Sequence, residues 1–261
     1  PCLTVQDIFV CGEQYKDLAK NPIDILSLSS LPLILLEGKS NTRKYIEKYT
    51  EEQMKIEKLV IGMHESNCYI VSDESKALII DPGGEAGRIV KQIKKNNLEV
   101  VGIVLTHYHC DHIEGVEEVK KAFDCKIFAH KKEAKGLLDP HINHTASLSR
   151  KPLSITADEL LSEGSKITIS ENLFLEVVHT PGHTPGGICL ISKDNKVAFT
   201  GDTLFEDGLG RTDLEGGNED LMKKSVSNKI SNWTDEITIY PGHGQSVNMK
   251  DLRKRNIKYL K

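Results

Sequence analysis

Residues 106–115 read THYHCDHIEG, with three histidines and an aspartate inside positions 107 to 112. The apolar run VVGIVL at 100–105 leads directly into them. A short β-branched run of this kind reads as a buried strand, so the cluster stands at a strand end, where a rigid frame presents loop side chains. In an extended segment His107 and His109 project to the same side. Asp111 continues that alternation, and His112 comes where the chain turns toward a helix after Gly115. Neutral imidazole and carboxylate are the donors expected for zinc or iron. Alone, one HxHxDH is compatible with coincidence.

The same punctuation recurs downstream. HTPGHTPGG (179–187) places His183 between two Pro-Gly turns after a strand. AFTGDTLF (198–205) ends a strand on Asp202, and IYPGHG (239–244) ends another on His243. If these strand ends share one edge, His107, His109, Asp111, His112, His183, Asp202 and His243 make a donor set for two adjacent metals, with one carboxylate shared between them. His64, His130, His141, His144 and His179 lack that setting or duplicate a better candidate, and are read as surface or packed residues.

The other elements fit around this set. KIEKLVIG, CYIVS and ALIIDPGG read as strands, and EAGRIVKQIKKNN has helical spacing with Ile89, Val90 and Ile93 on one side. GVEEVKKAF is a helix and CKIFAH a strand. The polar stretch over 131–164 carries a short helix and reads as a lid or mobile segment. Strands follow at SKITI, LFLEVVHT, GICLIS and KVAFTGD, then a helix at NEDLMKKSVSNKI, the strand EITIYPGHG and a basic amphipathic terminal helix. Strands and helices interleaved in two similar halves predict an α/β layered sandwich.

Composition sets limits. The chain has 261 residues, 38% hydrophobic and 28% charged, as expected of a globular protein. A net charge of −4 speaks against a nucleic-acid binder. Cys2, Cys11, Cys68, Cys110, Cys125 and Cys189 form no CxxC pair and read as reduced thiols of a cytoplasmic protein. The longest apolar stretch, residues 25–36, is too short for a membrane span and is interrupted by Pro32. Residues 1–53 carry no motif and are read as an N-terminal appendage; the regular pattern occupies 54–261.

HxHxDH at 107–112, followed by His183, Asp202 and His243, resembles the metallo-β-lactamase superfamily, and the resemblance spans about 55–246. NCYIV, IIDPGG, HTPGHTPGG, GDTLF and GRTDLEGGNEDLM are similar to single-domain hydrolases of the glyoxalase II (hydroxyacylglutathione hydrolase) type. The resemblance implies a four-layered αββα fold with a binuclear site at one edge. It also implies that His107, His109 and His183 hold one metal, that Asp111, His112 and His243 hold the other, and that Asp202 bridges. Asp111 and Asp202 are then the catalytic carboxylates. Zinc is the default pair of ions, and iron or manganese suits the same donors.

Two cations lower the pKa of a bridging water toward neutrality and polarise a carbonyl. A small-molecule thioester such as S-lactoylglutathione suits this chemistry, because its thiol leaves with a pKa of about 8.5 and needs little acid help. Two features depart from the glyoxalase II pattern. Members of that type carry an additional C-terminal helical region that contacts the thiol peptide, whereas 18 residues follow His243 here, and residues 1–53 are additional. Arg211 and Asp213 are expected to pair at the pocket rim, and Cys110 to be a packed thiol. The competing reading is a persulfide dioxygenase-like oxidoreductase with a single iron. A lactam hydrolase is less well matched, since zinc β-lactamases usually place a cysteine where Asp202 stands, and a phosphodiesterase would usually bring a further domain.

Overall fold

The computed structural model describes residues 54–73, 75–149, 151–194 and 196–260. The appendage expected over 1–53, with Cys2 and Cys11, lies outside the described residues. Two six-stranded sheets form the frame. The first has the order β1 (Lys55–Ile61), β2 (Ser66–Ser72), β3 (Lys76–Ile80), β4 (Glu99–Leu105), β5 (Ile127–His130), β6 (Glu159–Leu161). The second runs β12 (Val247–Asn248), β11 (Thr238–Pro241), β10 (Val197–Gly201), β9 (Ile188–Ser192), β8 (Phe174–His179), β7 (Lys166–Thr168). β1 to β3 are antiparallel, and β3 to β6 are parallel. In the second sheet β10 and β11 are parallel and the other pairs antiparallel.

Alternation within strands explains four layers. In β2, Cys68 and Ile70 join one core with Ile89, Ile93, Val116 and Val119 of the helices outside the first sheet. Tyr69 and Val71 point the other way, into a second core with Leu175, Val177, Leu190 and Phe199 of the opposite sheet. Cys189, Ile191 and Ala198 leave that core for a third, with Met222, Val226, Met249 and Leu252. Strands covered on both faces are apolar along most of their length, and β2, β9 and β10 are buried at every position, with their polar members Ser66, Asn67, Ser72, Ser192 and Thr200 toward the strand ends. The result is the αββα sandwich expected from the sequence.

The helices show why they stop where they do. α1 (Ala86–Lys95) buries Ala86, Ile89 and Ile93 along one stripe, carries Lys94 and Lys95 in its last turn and ends at Asn96. α2 (Cys110–Ile113) is a single turn, and α3 (Val116–Phe123) follows it. After α4 (Ala134–Leu138) and α5 (Thr145–Leu148), α6 (Glu219–Asn228) is capped by Asn218, whose side chain accepts from Leu221 N at 2.9 Å. α7 (Met249–Arg255) buries Met249 and Leu252. Three of its basic groups are committed to carboxylates: Arg253 to Asp235, Lys254 to Asp251 and Arg255 to Glu206.

One expectation needs correction here. The stretch 131–164 is anchored, with Asn143, Thr145, Leu153 and Ile155 buried and β6 paired to β5. Asn143 Nδ2 donates to Leu137 O and Leu153 O, and Leu153 N donates to Thr145 Oγ1 at 2.8 Å. The Asn143 amide and the Thr145 hydroxyl replace the ladder that a regular element would supply, so length and polarity alone suggest a lid where the chain is tied down.

Candidate metal centre

Each sheet is pinned to the other beside the histidine loops. Ile188 N, at the start of β9, donates to Thr106 O at 3.0 Å, and Asn67 N, in β2, donates to Gly242 O at 2.7 Å. Tyr69 Oη and Asn67 Nδ2 both donate to Pro241 O, at 2.7 and 2.9 Å. These ties bring the ends of β4, β10 and β11 and the β8–β9 loop to one edge. They gather the side chains that the sequence singled out.

His107 and His109 leave β4 in extended backbone, and Asp111 and His112 follow on α2. Asp111 therefore does not continue the strand alternation; the helical turn brings it round instead. His109 Nδ1 lies 2.8 Å from His183 Nε2, and the His107 ring centre is 4.8 Å from both of those rings. His112 Nε2 is 3.7 Å from Asp111 Oδ2 and 3.3 Å from Asp202 Oδ1. His243 Nε2 is 3.1 Å from Asp111 Oδ2 and 3.7 Å from Asp202 Oδ2, which is itself 3.5 Å from His183 Nε2. Asp202 thus stands between the His107/His109/His183 group and the Asp111/His112/His243 group. In each group the candidate donor atoms lie within 4.8 Å of one another.

Hydrogen bonds behind the imidazoles fix their tautomers. His183 Nδ1 can only donate to Arg211 O, 2.7 Å away, which leaves a lone pair on Nε2. His112 Nδ1 donates to Asp81 Oδ2 at 2.9 Å. Thr106 Oγ1 gives its proton to Asp81 Oδ2 at 2.6 Å and so accepts from His107 Nδ1 at 3.1 Å. The inward Nε2 atoms of His107 and His112 and Oδ1 of Asp202 are buried and have no hydrogen-bond partner. Buried acceptors without donors are costly, and a divalent cation would satisfy them. The donor set fits a metal.

Asp81 escaped the sequence reading. It ends β3 just as Asp202 ends β10, and IIDPGG carries the same strand-then-turn punctuation, but no histidine stands beside it. Asp81 is buried and also accepts from Thr106 N at 2.7 Å. The Arg211 guanidinium pairs with Asp213, at 2.8 and 2.7 Å, as the sequence leads one to expect, while its carbonyl orients His183.

The two groups differ electrostatically. Burial, reinforced by neighbouring histidines, holds His107 well below its ordinary pKa and His109 down at about 3. These are neutral imidazoles. Burial also opposes charge on His112, yet Asp202, Asp111 and Asp81 outweigh it and raise its pKa. Burial would raise Asp111, but His112 and His243 keep it below the usual carboxylate range. A cation in the second group therefore competes with protons, as ligand deprotonation requires.

The remaining histidines divide. His130 and His179 stack on each other with ring centres 4.0 Å apart, away from the cluster. His144 lies with its ring 5.3 Å from that of His109, nearer than the sequence suggested. Cys110 is a packed thiol whose pKa burial pushes up to about 11. Beside His243 an open cavity of about 370 Å³ is lined by Phe205, Glu206, Asp207, Gly244 and Gln245.

The chain is similar to known proteins in sequence and in structure. The family model described as "Metallo-beta-lactamase superfamily" matches residues 61–243. The chain is similar to the probable metallo-hydrolase YqgX of Bacillus subtilis, 32% identical over 78% of this chain and 96% of that protein. It is likewise 32% identical to the hydroxyacylglutathione hydrolase GloC of Haemophilus influenzae, over 78% of this chain and 97% of that one. Among solved structures, the BLEG-1 B3 metallo-beta-lactamase superposes with a TM-score of 0.74 at 32% identity, covering 79% of this chain and all (100%) of its own.

Proposed function

The chain belongs to the metallo-beta-lactamase superfamily, and from that premise we propose that it is a binuclear metal-dependent hydrolase of small thioesters of the S-lactoylglutathione type. In this reading His107, His109 and His183 hold one divalent cation, Asp111, His112 and His243 hold the other, and Asp202 serves both. Zinc is the proposed metal, with iron suited to the same donors. Asp111 and Asp202 are the proposed catalytic carboxylates.

The observation that carries the reading is the convergence of these donor atoms from separate strand ends, with the inward nitrogens of His107, His112 and His183 set by hydrogen bonds behind their rings. Bound divalent cations supply a nucleophile from water at neutral pH and polarise a carbonyl. The chain's own groups do the rest. Asp81 and Arg211 O hold the protons of His112 and His183 on their outward nitrogens, so the inward nitrogens stay available. Phe205 flanks His243 at a ring separation of 6.2 Å and forms part of the wall of the adjoining cavity, where an acyl or thiol chain would lie. A thioester needs no strong acid to expel its leaving group, which suits a site whose imidazoles and carboxylates are committed to cations. The likeness to the hydroxyacylglutathione hydrolase GloC supports this substrate class.

Two further parts belong to the same proposal. Residues 54–261 carry the chemistry and 1–53 are an appendage. The protein acts in the cytoplasm, a placement supported by Cys68, Cys110, Cys125 and Cys189, which are free and buried. No helix among the described residues is long and apolar enough to cross a membrane.

The likeness to BLEG-1 makes a β-lactam the second substrate class to test. The experiment is turnover by the metal-loaded chain on S-lactoylglutathione, other thioesters, a β-lactam, a phosphodiester and, with oxygen uptake followed, a glutathione persulfide. Thioester hydrolysis that vanishes in Asp202→Ala is the expected result. Faster lactam turnover, oxygen consumption, or undiminished hydrolysis by Asp202→Ala would overturn the proposal.

A further inference from the structure

Glu133 immediately precedes α4 and is fully buried, yet no lysine, arginine or histidine among the described residues pairs with it. Its carboxylate spans the two histidine loops. Oε2 accepts Tyr108 N at 2.8 Å, and Oε1 accepts Gly186 N at 2.6 Å. Tyr108 lies between His107 and His109, while Gly186 lies three residues beyond His183. One side chain therefore fixes the separation of two segments that belong to different sheets.

The Tyr108 side chain extends this brace. Its Oη donates to Glu215 O at 2.7 Å, in the loop whose Arg211 carbonyl accepts from His183 Nδ1. Gly136 in α4 packs against the tyrosine ring so closely that a Cβ there would lie 2.2 Å from it. Glu133, Tyr108, the 211–215 loop and the His183 loop thus close a ring of contacts behind the three histidines.

A buried carboxylate without a counter-charge is expensive, since burial removes its hydration. Burial pushes Glu133 up to about 8, while hydrogen bonding from Thr184, Gly186 N and Tyr108 N favours its ionised form. A pair of apolar side chains would fill the same space more cheaply. The carboxylate, however, gives Tyr108 N and Gly186 N an oxygen each, which an apolar pair could not.

We propose that Glu133 is a positioning residue that sets the spacing of His107, His109 and His183, so that its loss weakens cation binding on that face and spares the Asp111/His112/His243 face. This rests on the reading that those three histidines hold a cation. Loss of such an outlying contact lowers metal affinity by about 10- to 100-fold.

The test is Co²⁺ titration of the metal-free full-length chain against a chromophoric chelator, with the visible Co²⁺ spectrum recorded at each step. His109→Ala identifies which binding step belongs to the three-histidine face. Glu133→Gln is close to isosteric but offers one acceptor where two N–H groups need one each. Gly186→Ala acts from the opposite side, because its Cβ would lie 2.6 Å from Glu133 Oε1.

Melting of the metal-free chains, followed by circular dichroism, supplies the folding control. Both variants are expected to fold, to lose about 10- to 100-fold in Co²⁺ affinity at the step removed by His109→Ala with an altered spectrum, and to keep the other step. Wild-type affinity and spectrum at that step in a folded variant would overturn the inference, and should Glu133→Gln fail to fold, Gly186→Ala decides by the same criterion. A wild-type chain that binds Co²⁺ on both faces but cleaves no thioester would instead sink the proposed function and leave the brace standing.

Discussion

Replacing Asp81 with alanine removes a buried acceptor of three hydrogen bonds, from Thr106 N at 2.7 Å, Thr106 Oγ1 at 2.6 Å and His112 Nδ1 at 2.9 Å. Each buried donor left unpaired costs about 1–3 kcal/mol. Water entering the space will relieve part of that, so a loss near the lower bound, about 3 kcal/mol, is expected in urea unfolding of the metal-free chain. His112 also loses the acceptor that keeps its proton on Nδ1. Its metal affinity should fall by about 10- to 100-fold, or about 1.4–2.8 kcal/mol. Asp81→Asn separates the two effects. Its carbonyl oxygen can still take Thr106 N, which restores some stability, but its amide nitrogen faces Thr106 Oγ1 and His112 Nδ1 and cannot accept. Competition titration with a chromophoric chelator measures the affinity. A folded Asp81→Asn chain that binds metal as tightly as wild type would refute the claim that these outward hydrogen bonds prepare the imidazoles.

Three other outcomes follow from the packing. A Cβ at Gly242 would lie 2.1 Å from Asp202 Oδ1 and 2.8 Å from the His112 ring, so Gly242→Ala should cut bound metal and turnover at least about tenfold; unchanged metal content would contradict the geometry. Cys110 is buried with its pKa pushed up, so Cys110→Ala should keep thioester turnover within about twofold, whereas a large loss would point to a thiol nucleophile. Burial and the stacked His179 hold His130 down at about 4, while the unfolded imidazole takes up its proton near 6.5. Between those values the unfolded state binds more protons, so this contribution to stability is complete above about pH 6.5 and is lost as pH falls through about 4. His130→Phe should flatten the fall in urea midpoint across that window; an identical slope would rule His130 out as its source.

What the sequence made legible was the part written as repeated punctuation. An apolar strand, a turn with glycine or proline and one ligand-type residue recur at His183, Asp202 and His243 after the cluster at 107–112, and the interleaving of strands and helices in two halves pointed to a layered sandwich. Asp81 carries that punctuation too, but a lone carboxylate has many meanings until Thr106 and His112 are seen against it. Glu133 has no pattern at all, because it acts on the backbone N–H groups of Tyr108 and Gly186, and an N–H group leaves no trace in residue identity. The lid expected over 131–164 failed for a related reason: Asn143 and Thr145 look like loop residues whether they face water or tie Leu137 to Leu153. Asp111 was placed on an extended segment because its spacing from His109 matches a strand, and only the turn of α2 brings it beside His243.

Seven side chains, from the ends of strands and the turn of α2, are proposed to hold a pair of cations. Elemental analysis of the purified chain after metal loading and gel filtration tests it most directly, set beside Asp202→Ala and His243→Ala prepared identically. The account predicts about two equivalents of metal per wild-type chain, in keeping with two donor groups sharing one carboxylate, and a clear loss in both variants. A wild-type chain that retains no metal, or variants that retain as much as wild type, would contradict it.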